Sequence, residues 1–70
     1  MKILAERLHE LRKEKKSRQE DVAKGIGIAT YTYQRYEYGE REPLASVLKD
    51  LAVFFGVTTD YLVGLSDTRK

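Results

Sequence analysis

The chain has no cysteine and only one histidine, His9, and these shortages exclude several kinds of site. Disulfide bonds and thiolate metal ligands need cysteine, and one histidine is too few for a structural zinc site. No run approaches the ~18 apolar residues of a membrane span, and an acid as early as Glu6 is not typical of a signal peptide. We therefore expect a cytoplasmic protein that binds no metal, no other cofactor and no membrane.

The composition is that of one small globular domain. Hydrophobic residues make up 41% of the 70 residues and charged residues 34%, a balance that is not typical of a disordered chain. A chain of this length buries only about 60% of the surface that it exposes when unfolded, so it needs efficient helix packing or a partner. We predict a single domain over residues 1–70, with its core in 3–65 and a frayed tail at 66–70. This leaves no room for a ligand-sensing domain, and no small-molecule ligand is expected.

The formal net charge is only +2, but the basic residues are concentrated in the first part of the chain. Residues 12–18 read Arg-Lys-Glu-Lys-Lys-Ser-Arg and offer a place where a polyanion could be met. Charge runs of this kind are more often solvated helix faces, so this run alone does not identify a partner.

Apolar spacing predicts five short helices and no strand. In the first helix Leu4, Leu8 and Leu11 recur at helical spacing, and glycines separate the later segments. Ser17 and Glu20 have the spacing of a capping box at the start of the second helix. The predicted bounds are about 3–15, 18–24, 29–38, 44–55 and 59–63.

The segment from Gln19 to Gly39 has the organisation of a helix-turn-helix unit. Two short predicted helices flank Gly25-Ile26-Gly27, where glycine gives the backbone the freedom that a tight turn requires. Ala23 is small enough for the two helices to cross closely over it. Such a unit holds its second helix clear of the surface, and the major groove of DNA is wide enough to admit an α-helix.

Several short motifs follow one another in a fixed order along the chain. They are Gln19-Glu20-x-Val22-Ala23, Ile26-Gly27-Ile28, Arg35-Tyr36-Glu37-x-Gly39, Arg41-x-Pro43, Leu51-Ala52, Phe55-Gly56-Val57 and Asp60-Tyr61-Leu62. Over roughly residues 3–65, their order and spacing resemble the phage-repressor-like helix-turn-helix regulators of lambda-repressor and Cro type, the XRE family. The resemblance implies an all-α compact bundle of five short helices in which helices 2 and 3 form the DNA-binding unit. It also implies a transcriptional regulator, more often a repressor than an activator.

The resemblance implies base contacts from the first exposed residues of the third helix and from residues one turn later. These positions are Thr30, Tyr31, Gln34 and Arg35. The guanidinium of Arg35 can form a bidentate pair with guanine, and the amide of Gln34 can reach adenine. Thr30 can contact a base or phosphate or merely cap its helix, Tyr31 can touch a thymine methyl or a phosphate, and Arg35 can equally be a surface charge.

Phosphate contacts are implied for the start of the second helix and the end of the third. Gln19 occupies the position of the family's phosphate-binding glutamine, beside the amides of the helix terminus. The further candidates are Arg18, Tyr38 and Arg41. Tyr38 stands where the family commonly has asparagine, and Glu40 and Glu42 lie in a loop that is often basic. We therefore expect modest phosphate attraction and weak binding by a monomer.

Other residues are expected to support the fold. The resemblance implies a structural ion pair between Arg12 and Glu37, although each side chain could instead be solvated. Tyr33 and Tyr36 are expected to bury their rings against the fourth helix, with their hydroxyls at the rim. Leu44 replaces the usual capping residue of the fourth helix, so a poorer start to that helix is expected.

Pairing would compensate for weak binding by a monomer. Two copies related by a two-fold axis would set their third helices about 34 Å apart and read a near-palindromic operator as a homodimer. Four apolar residues off the predicted inward faces could form the dimer patch, or some of them could lie at the edge of the core. They are Val53, Phe54, Val63 and Leu65.

Three other classes of function compete with DNA binding. An enzyme is not expected, because no nucleophile, base and orienting group converge in any spacing of the sequence. The alternative is a protein-interaction module of the same fold, such as an antitoxin or anti-repressor, which the acidic residues Glu40 and Glu42 favour slightly. Binding of single-stranded RNA by stacked tyrosines lacks the sheet platform that would display the rings.

Overall fold

A computed structural model describes all residues from Met1 to Lys70 as a bundle of five helices without a strand. The five predicted helices are all present, and the all-α prediction is confirmed. The observed bounds lie within about two residues of the predicted ones, as is usual for helix ends. The helices are α1 (Lys2–Glu14), α2 (Gln19–Ile26), α3 (Thr30–Glu37), α4 (Ala45–Phe55) and α5 (Thr59–Val63).

Every helix contributes to one hydrophobic core. The largest side chains that are almost completely buried come from all five helices, and burying each of them fully contributes roughly 1.5–3 kcal/mol before the entropy of ordering is subtracted. Because each helix has only 5 to 13 residues, none would be stable alone. The fully buried residues are Leu4, Leu8, Val22, Tyr33, Leu51 and Leu62.

The packing of α3 corrects one expectation. This helix lies chiefly against α2 and α1, whereas α4 packs on α2 and α5. Tyr33 and Tyr36 are buried as predicted, in one core cluster with Leu51 and Ala52 of α4, although α3 as a whole lies chiefly against α2 and α1. The hydroxyl of Tyr33 is also fully buried and has no hydrogen-bond partner, so it does not lie at the rim.

The turn between α2 and α3 is tight, as the glycine pattern predicted. Gly27 adopts φ 76°, which L side chains rarely adopt, and the N–H of Ile28 donates to the carbonyl of Ala23 at 3.0 Å. Ala23 is completely buried between the helices. The turn therefore fixes α3 across α2 and leaves the outer side of α3 uncovered.

The start of α2 differs from the predicted capping box. The helix begins at Gln19, one residue later than predicted, so its N-cap is Arg18 and its third residue is Asp21. The backbone N–H of Arg18 donates to Oδ2 of Asp21 at 2.9 Å, and this hydrogen bond lowers the pKa of Asp21. Glu20 and Ser17 do not form the predicted box, because the shift of one residue moves both out of register.

The start of α4 matches its expectation. Leu44 is the N-cap, no side-chain hydrogen bond caps the helix, and the Leu44 side chain is 72% exposed. At α5, by contrast, Oγ1 of Thr58 accepts a hydrogen bond from the N–H of Tyr61 at 3.0 Å. The two starts differ because only a residue with a short polar side chain can accept from the first turn.

Residues 66–70 were expected to fray, and the structure differs from that expectation. The guanidinium of Arg69 donates to both carboxylate oxygens of Glu14 at 2.7 Å and to Glu10 at 3.1 Å. The carbonyl of Arg69 accepts from the N–H of Thr58 at 2.9 Å, and the hydrogen bond from Arg69 lowers the pKa of Glu14. The sequence holds a signal for this contact, because Glu10 and Glu14 are one helical turn apart on α1 and so present two carboxylates on one face to a basic side chain.

Candidate nucleic-acid interface

The four predicted base-contacting residues lie on the outer side of α3. Tyr31 is 68% exposed, and Thr30, Gln34 and Arg35 are partly exposed. The guanidinium carbon of Arg35 lies 5.8 Å from the centre of the Tyr31 ring, within the range of a cation–π contact. Thr30 is the first helical residue and Ala29 is the N-cap, so the alternative that Thr30 only caps the helix is wrong.

Behind this surface, the buried carboxylate of Glu37 on α3 gathers side chains from two other helices. Arg12 of α1 donates from Nε to Oε2 at 2.8 Å and from Nη2 to Oε1 at 2.9 Å. His9 Nδ1 lies 3.0 Å from Oε1, and Gln19 of α2 donates to the same oxygen at 3.3 Å. Only 1% of the Glu37 side chain is exposed. The structure therefore places Arg12 and Glu37 in a two-point ion pair that ties α1 to α3.

The pKa of Glu37 reflects two opposing effects. Burial alone would raise it, but the hydrogen bonds from Arg12 and His9 and the charge of Arg12 outweigh burial and lower the pKa to about 2. The same hydrogen bond raises the pKa of Arg12. Tyr33 lies beside this carboxylate, and its burial raises the pKa of its hydroxyl. Glu37 is therefore ionised at neutral pH despite its burial.

Gln19 connects the ion pair to the exposed side of α3. Its Nε2 donates to Glu37 and to the hydroxyl of Tyr38, each at 3.3 Å, and its Oε1 accepts from Nε2 of Gln34 at 3.1 Å. Both amide hydrogens thus have acceptors within the protein. To bind a phosphate directly, Gln19 would have to give up its hydrogen bond to Tyr38. The hydroxyl of Tyr38 only accepts in that bond, so its hydrogen is free to donate to a phosphate.

The remaining phosphate candidates have different surroundings. Arg18 is exposed, but Glu20 lies 2.9 Å from its guanidinium and Asp21 lies 3.5 Å away, so its charge is partly balanced. Arg41 is exposed in the loop between α3 and α4. In the same loop Glu40 lies 3.9 Å from Nε of Arg35, and Glu42 lies 3.8 Å from the N-terminal amine.

Sequence reasoning missed the parts played by His9 and Glu40. His9 has no predicted part in the site, but it lies three residues before Arg12 and so on the same face of α1, with Nδ1 3.0 Å from Glu37. Glu40 was noted only as an acid in the loop. Its closeness to Arg35 depends on how α3 ends, which the motif alone does not specify.

The predicted dimer patch divides into two pairs. Val53 and Leu65 are 73% and 79% exposed. Phe54 and Val63 are half-buried, and the Phe54 ring lies against Gly25 and meets Phe55 edge-on with 5.1 Å between ring centres. Phe54 therefore belongs to the edge of the core, and only Val53 and Leu65 are largely uncovered.

The structure offers no metal site and no helix suited to a membrane. No group of three or more histidine, aspartate or glutamate side chains is arranged to hold a metal ion. None of the five helices has the length and apolar character needed to cross a bilayer.

Comparison with known proteins identifies the family. Residues 8–62 match the family described as Helix-turn-helix. The chain belongs to this family. The membership agrees with the motifs around Gln19, Gly27 and Glu37, and with the packing of α2 and α3.

Several curated transcriptional regulators are similar to nearly the whole chain. The cryptic phage CTXphi transcriptional repressor RstR of Vibrio cholerae is 38% identical over 67 residues, which cover 96% of this chain and 60% of the relative. In Bacillus subtilis, the transcriptional regulator AnsR is 44% identical over 65 residues, covering 93% and 56%. The uncharacterized regulator YobD of the same organism is 40% identical over 65 residues, covering 93% and 58%.

The chain spans less than two thirds of the length of these relatives. No solved structure matches the chain. None of the three names is that of an enzyme, in agreement with the prediction that the chain has no catalytic role.

Proposed function

We propose that this helix-turn-helix domain binds duplex DNA at a specific sequence, with α3 in the major groove, and represses transcription. The observation that carries the proposal is the exposed outer side of α3, where Tyr31 and Arg35 lie beside each other and Gln34 donates to Gln19 at the start of α2. An α-helix with its side chains is about 10–12 Å wide and fits a major groove of about 12 Å. The role as repressor is supported by the similarity to RstR, which is named as one.

Base recognition is assigned to the four residues on the outer side of α3. The Arg35 fork pairs with O6 and N7 of guanine, a contact worth roughly 1–3 kcal/mol of discrimination. Tyr31 and the methyl group of Thr30 face thymine methyls or nearby phosphates. Gln34 keeps its carbonyl oxygen and one amide hydrogen after bonding to Gln19, which is what adenine recognition requires.

Phosphate contacts surround this surface and set its register on DNA. Tyr38 donates its hydroxyl hydrogen to a backbone phosphate, because the hydroxyl oxygen already accepts from Gln19. Gln19 and the first amides of α2 face the same strand, where the positive end of the helix dipole favours an anion. Arg18 and Arg41 add charge, which the nearby acids reduce.

A homodimer on a near-palindromic operator is the arrangement that this interface favours. Few uncompensated positive charges surround α3, so a monomer gains little from phosphates. Two domains with their α3 helices about 34 Å apart would double the contacts. Of the four residues predicted for the dimer patch, Val53 and Leu65 are the exposed ones and form part of the pairing surface.

Selection from random duplex DNA followed by a salt titration of the selected site tests the proposal. Arg35→Ala should relax the base preference at one position. Gln19→Ala should weaken binding to all sequences, with an added loss of preference only at the base pair that Gln34 reads, because Gln19 holds Gln34. Lys49→Ala is the control for loss of one positive charge, because Lys49 is exposed on α4, which packs on α2 and α5. Affinity should fall steeply as salt rises, since phosphate binding releases counterions.

Two outcomes would contradict the proposal. If Arg35→Ala and Gln19→Ala both matched Lys49→Ala on the selected site, the assignment of contacts to α3 and α2 would be wrong. If no duplex were selected, and the chain instead bound a protein with little dependence on salt, the alternative of a protein-interaction module would replace DNA binding.

A further inference from the structure

The end of α3 differs from the ends of three other helices in one residue. α2, α3, α4 and α5 are each followed by a glycine that makes the same pair of backbone hydrogen bonds. The N–H of the glycine donates to the carbonyl three residues before it, and the N–H of the following residue donates to the carbonyl five residues before that residue. This pair of hydrogen bonds sets the residue after the glycine against the fifth residue before it, usually in an apolar contact. The residue after the glycine is Ile28 at α2, Val57 at α4 and Leu65 at α5, but it is Glu40 at α3.

The backbone therefore brings Glu40 to Arg35. Gly39 adopts φ 74°, and the N–H of Glu40 donates to the carbonyl of Arg35 at 2.9 Å. The carboxylate of Glu40 then lies 3.9 Å from Nε of Arg35. Because the helix ending fixes the backbone positions of both residues, the two side chains stay within reach of each other in solution.

The position of the contact on the guanidinium decides what Arg35 can still do. The closest approach of Glu40 is to Nε, which leaves Nη1 and Nη2 at the far end of the guanidinium. Those two nitrogens form a fork that matches O6 and N7 of guanine. Tyr31 lies on another side of the same group, with 5.8 Å between its ring centre and Cζ of Arg35. Glu40 and Tyr31 together restrict the guanidinium without covering its fork.

We infer that Glu40 is a positioning residue for base recognition, holding the Arg35 guanidinium in place to receive a guanine. This inference rests on the proposed function and adds a residue that does not itself contact DNA. A second effect of Glu40 acts on all sequences alike, because its negative charge repels nearby phosphates. Glu40 thus strengthens binding to the specific site relative to other DNA and weakens binding to DNA in general.

The test compares Glu40→Gln with Glu42→Gln. Both variants remove one negative charge from the same loop, but only Glu40 contacts Arg35, since Glu42 lies near the N-terminal amine. For each variant, dissociation constants are measured on the selected duplex and on a shuffled duplex at one salt concentration. Circular dichroism confirms that both variants are folded, which is expected because both side chains are exposed.

The expected results differ between the two variants. Glu42→Gln should strengthen binding to both duplexes by the same factor and leave their ratio unchanged. Glu40→Gln should lower the ratio of specific to nonspecific affinity by about two- to fivefold, the range that one exposed ion pair supports. In an Arg35→Ala background, Glu40→Gln should change the ratio no more than Glu42→Gln does.

Three results would overturn the inference. The first is the same ratio of specific to nonspecific affinity for Glu40→Gln and Glu42→Gln. The second is a ratio that rises in Glu40→Gln. The third is an effect of Glu40→Gln on the ratio that is just as large in the Arg35→Ala background. In all three the wild-type chain still selects a DNA site, so the proposed function survives. A wild-type chain that selects no duplex refutes the proposed function, and the inference falls with it.

Discussion

Replacing Arg12 with methionine should remove a large part of the stability of the domain. The change keeps an unbranched side chain on α1 but leaves the Glu37 carboxylate buried without its two-point partner. Breaking a buried pair in this way typically costs about 3–5 kcal/mol. A domain of this size has a free energy of unfolding of roughly 4–10 kcal/mol, so the variant should lose about a third or more of it.

The ion pair also predicts how the free energy of unfolding depends on pH in the wild type and in Arg12→Met. In the wild-type domain the pKa of Glu37 is lowered from 4.5 to about 2, so its contribution is full above pH 4.5 and is lost as the pH falls toward 2. The shift corresponds to about 3 kcal/mol. Without Arg12, burial should raise the pKa of Glu37 instead. The free-energy cost of burying the unpaired Glu37 carboxylate should then be relieved as the pH falls and the group takes up a proton. Acidification should therefore destabilise Arg12→Met less than the wild type.

Urea unfolding followed by far-ultraviolet circular dichroism measures both effects, at neutral and at acidic pH. Lys13→Met is the control, because Lys13 is an exposed neighbour on the same helix. The double variant Arg12→Met/Glu37→Gln should recover part of the lost stability, since it no longer buries a charge. If Arg12→Met were as stable as Lys13→Met and had the wild-type pH dependence, the reasoning about this ion pair would be refuted.

Three further changes test the packing. Tyr33→Phe should change the free energy of unfolding by no more than about 1 kcal/mol, because the buried hydroxyl lies beside the Glu37 carboxylate without a well-formed hydrogen bond to it. A clear loss in urea unfolding would mean that the hydroxyl is bonded. Gly25→Ala should cost about 1 kcal/mol, because a Cβ there would lie 2.5 Å from the Phe54 ring and overpacking outweighs the gain in helix propensity. In a Phe54→Leu background, Gly25→Ala should no longer lower the free energy of unfolding. An equal loss in that background would contradict the assigned contact between position 25 and the Phe54 ring. Arg69→Gln should lower the melting temperature more at low salt than at high salt, because the contacts of Arg69 with Glu10 and Glu14 are exposed. An effect independent of salt would contradict that electrostatic origin.

The helices and the core were predictable because they depend on short-range patterns. Leu4, Leu8 and Leu11 repeat at the period of a helix, and all three are buried. The small size of Ala23 and the glycine at position 27 were sufficient to predict the crossing of α2 and α3. These features are local in the chain, so a single sequence contains the signal for them.

The capping of α2 and the surroundings of Tyr33 were not predictable in the same way. Glu20 and Asp21 are adjacent acids, and a shift of one residue in the helix start decides which of them accepts from the backbone of Arg18. Tyr33 is correctly buried, but the helix that it faces depends on the angle between α3 and its neighbours. Both questions depend on tertiary geometry, which periodicity does not fix.

The candidate interface shows the same division. The positions of Tyr31 and Arg35 on the outer side of α3 follow from helical spacing. The hydrogen bonds of Gln19 to Gln34, Glu37 and Tyr38 do not, because they join side chains that are 15 to 19 residues apart. Spacing indicates which residues face outward, but only the folded arrangement shows which of them are held by other side chains.

That network links the stability of the domain to the DNA recognition that we propose. Glu37 holds Gln19, and Gln19 in turn holds the side chains of Gln34 and Tyr38 on the exposed side. Side chains restrained in this way lose less conformational entropy when they bind, so in the proposed complex the buried ion pair would contribute to affinity without touching DNA. A change at Arg12 should therefore weaken DNA binding even in the fraction of molecules that remains folded.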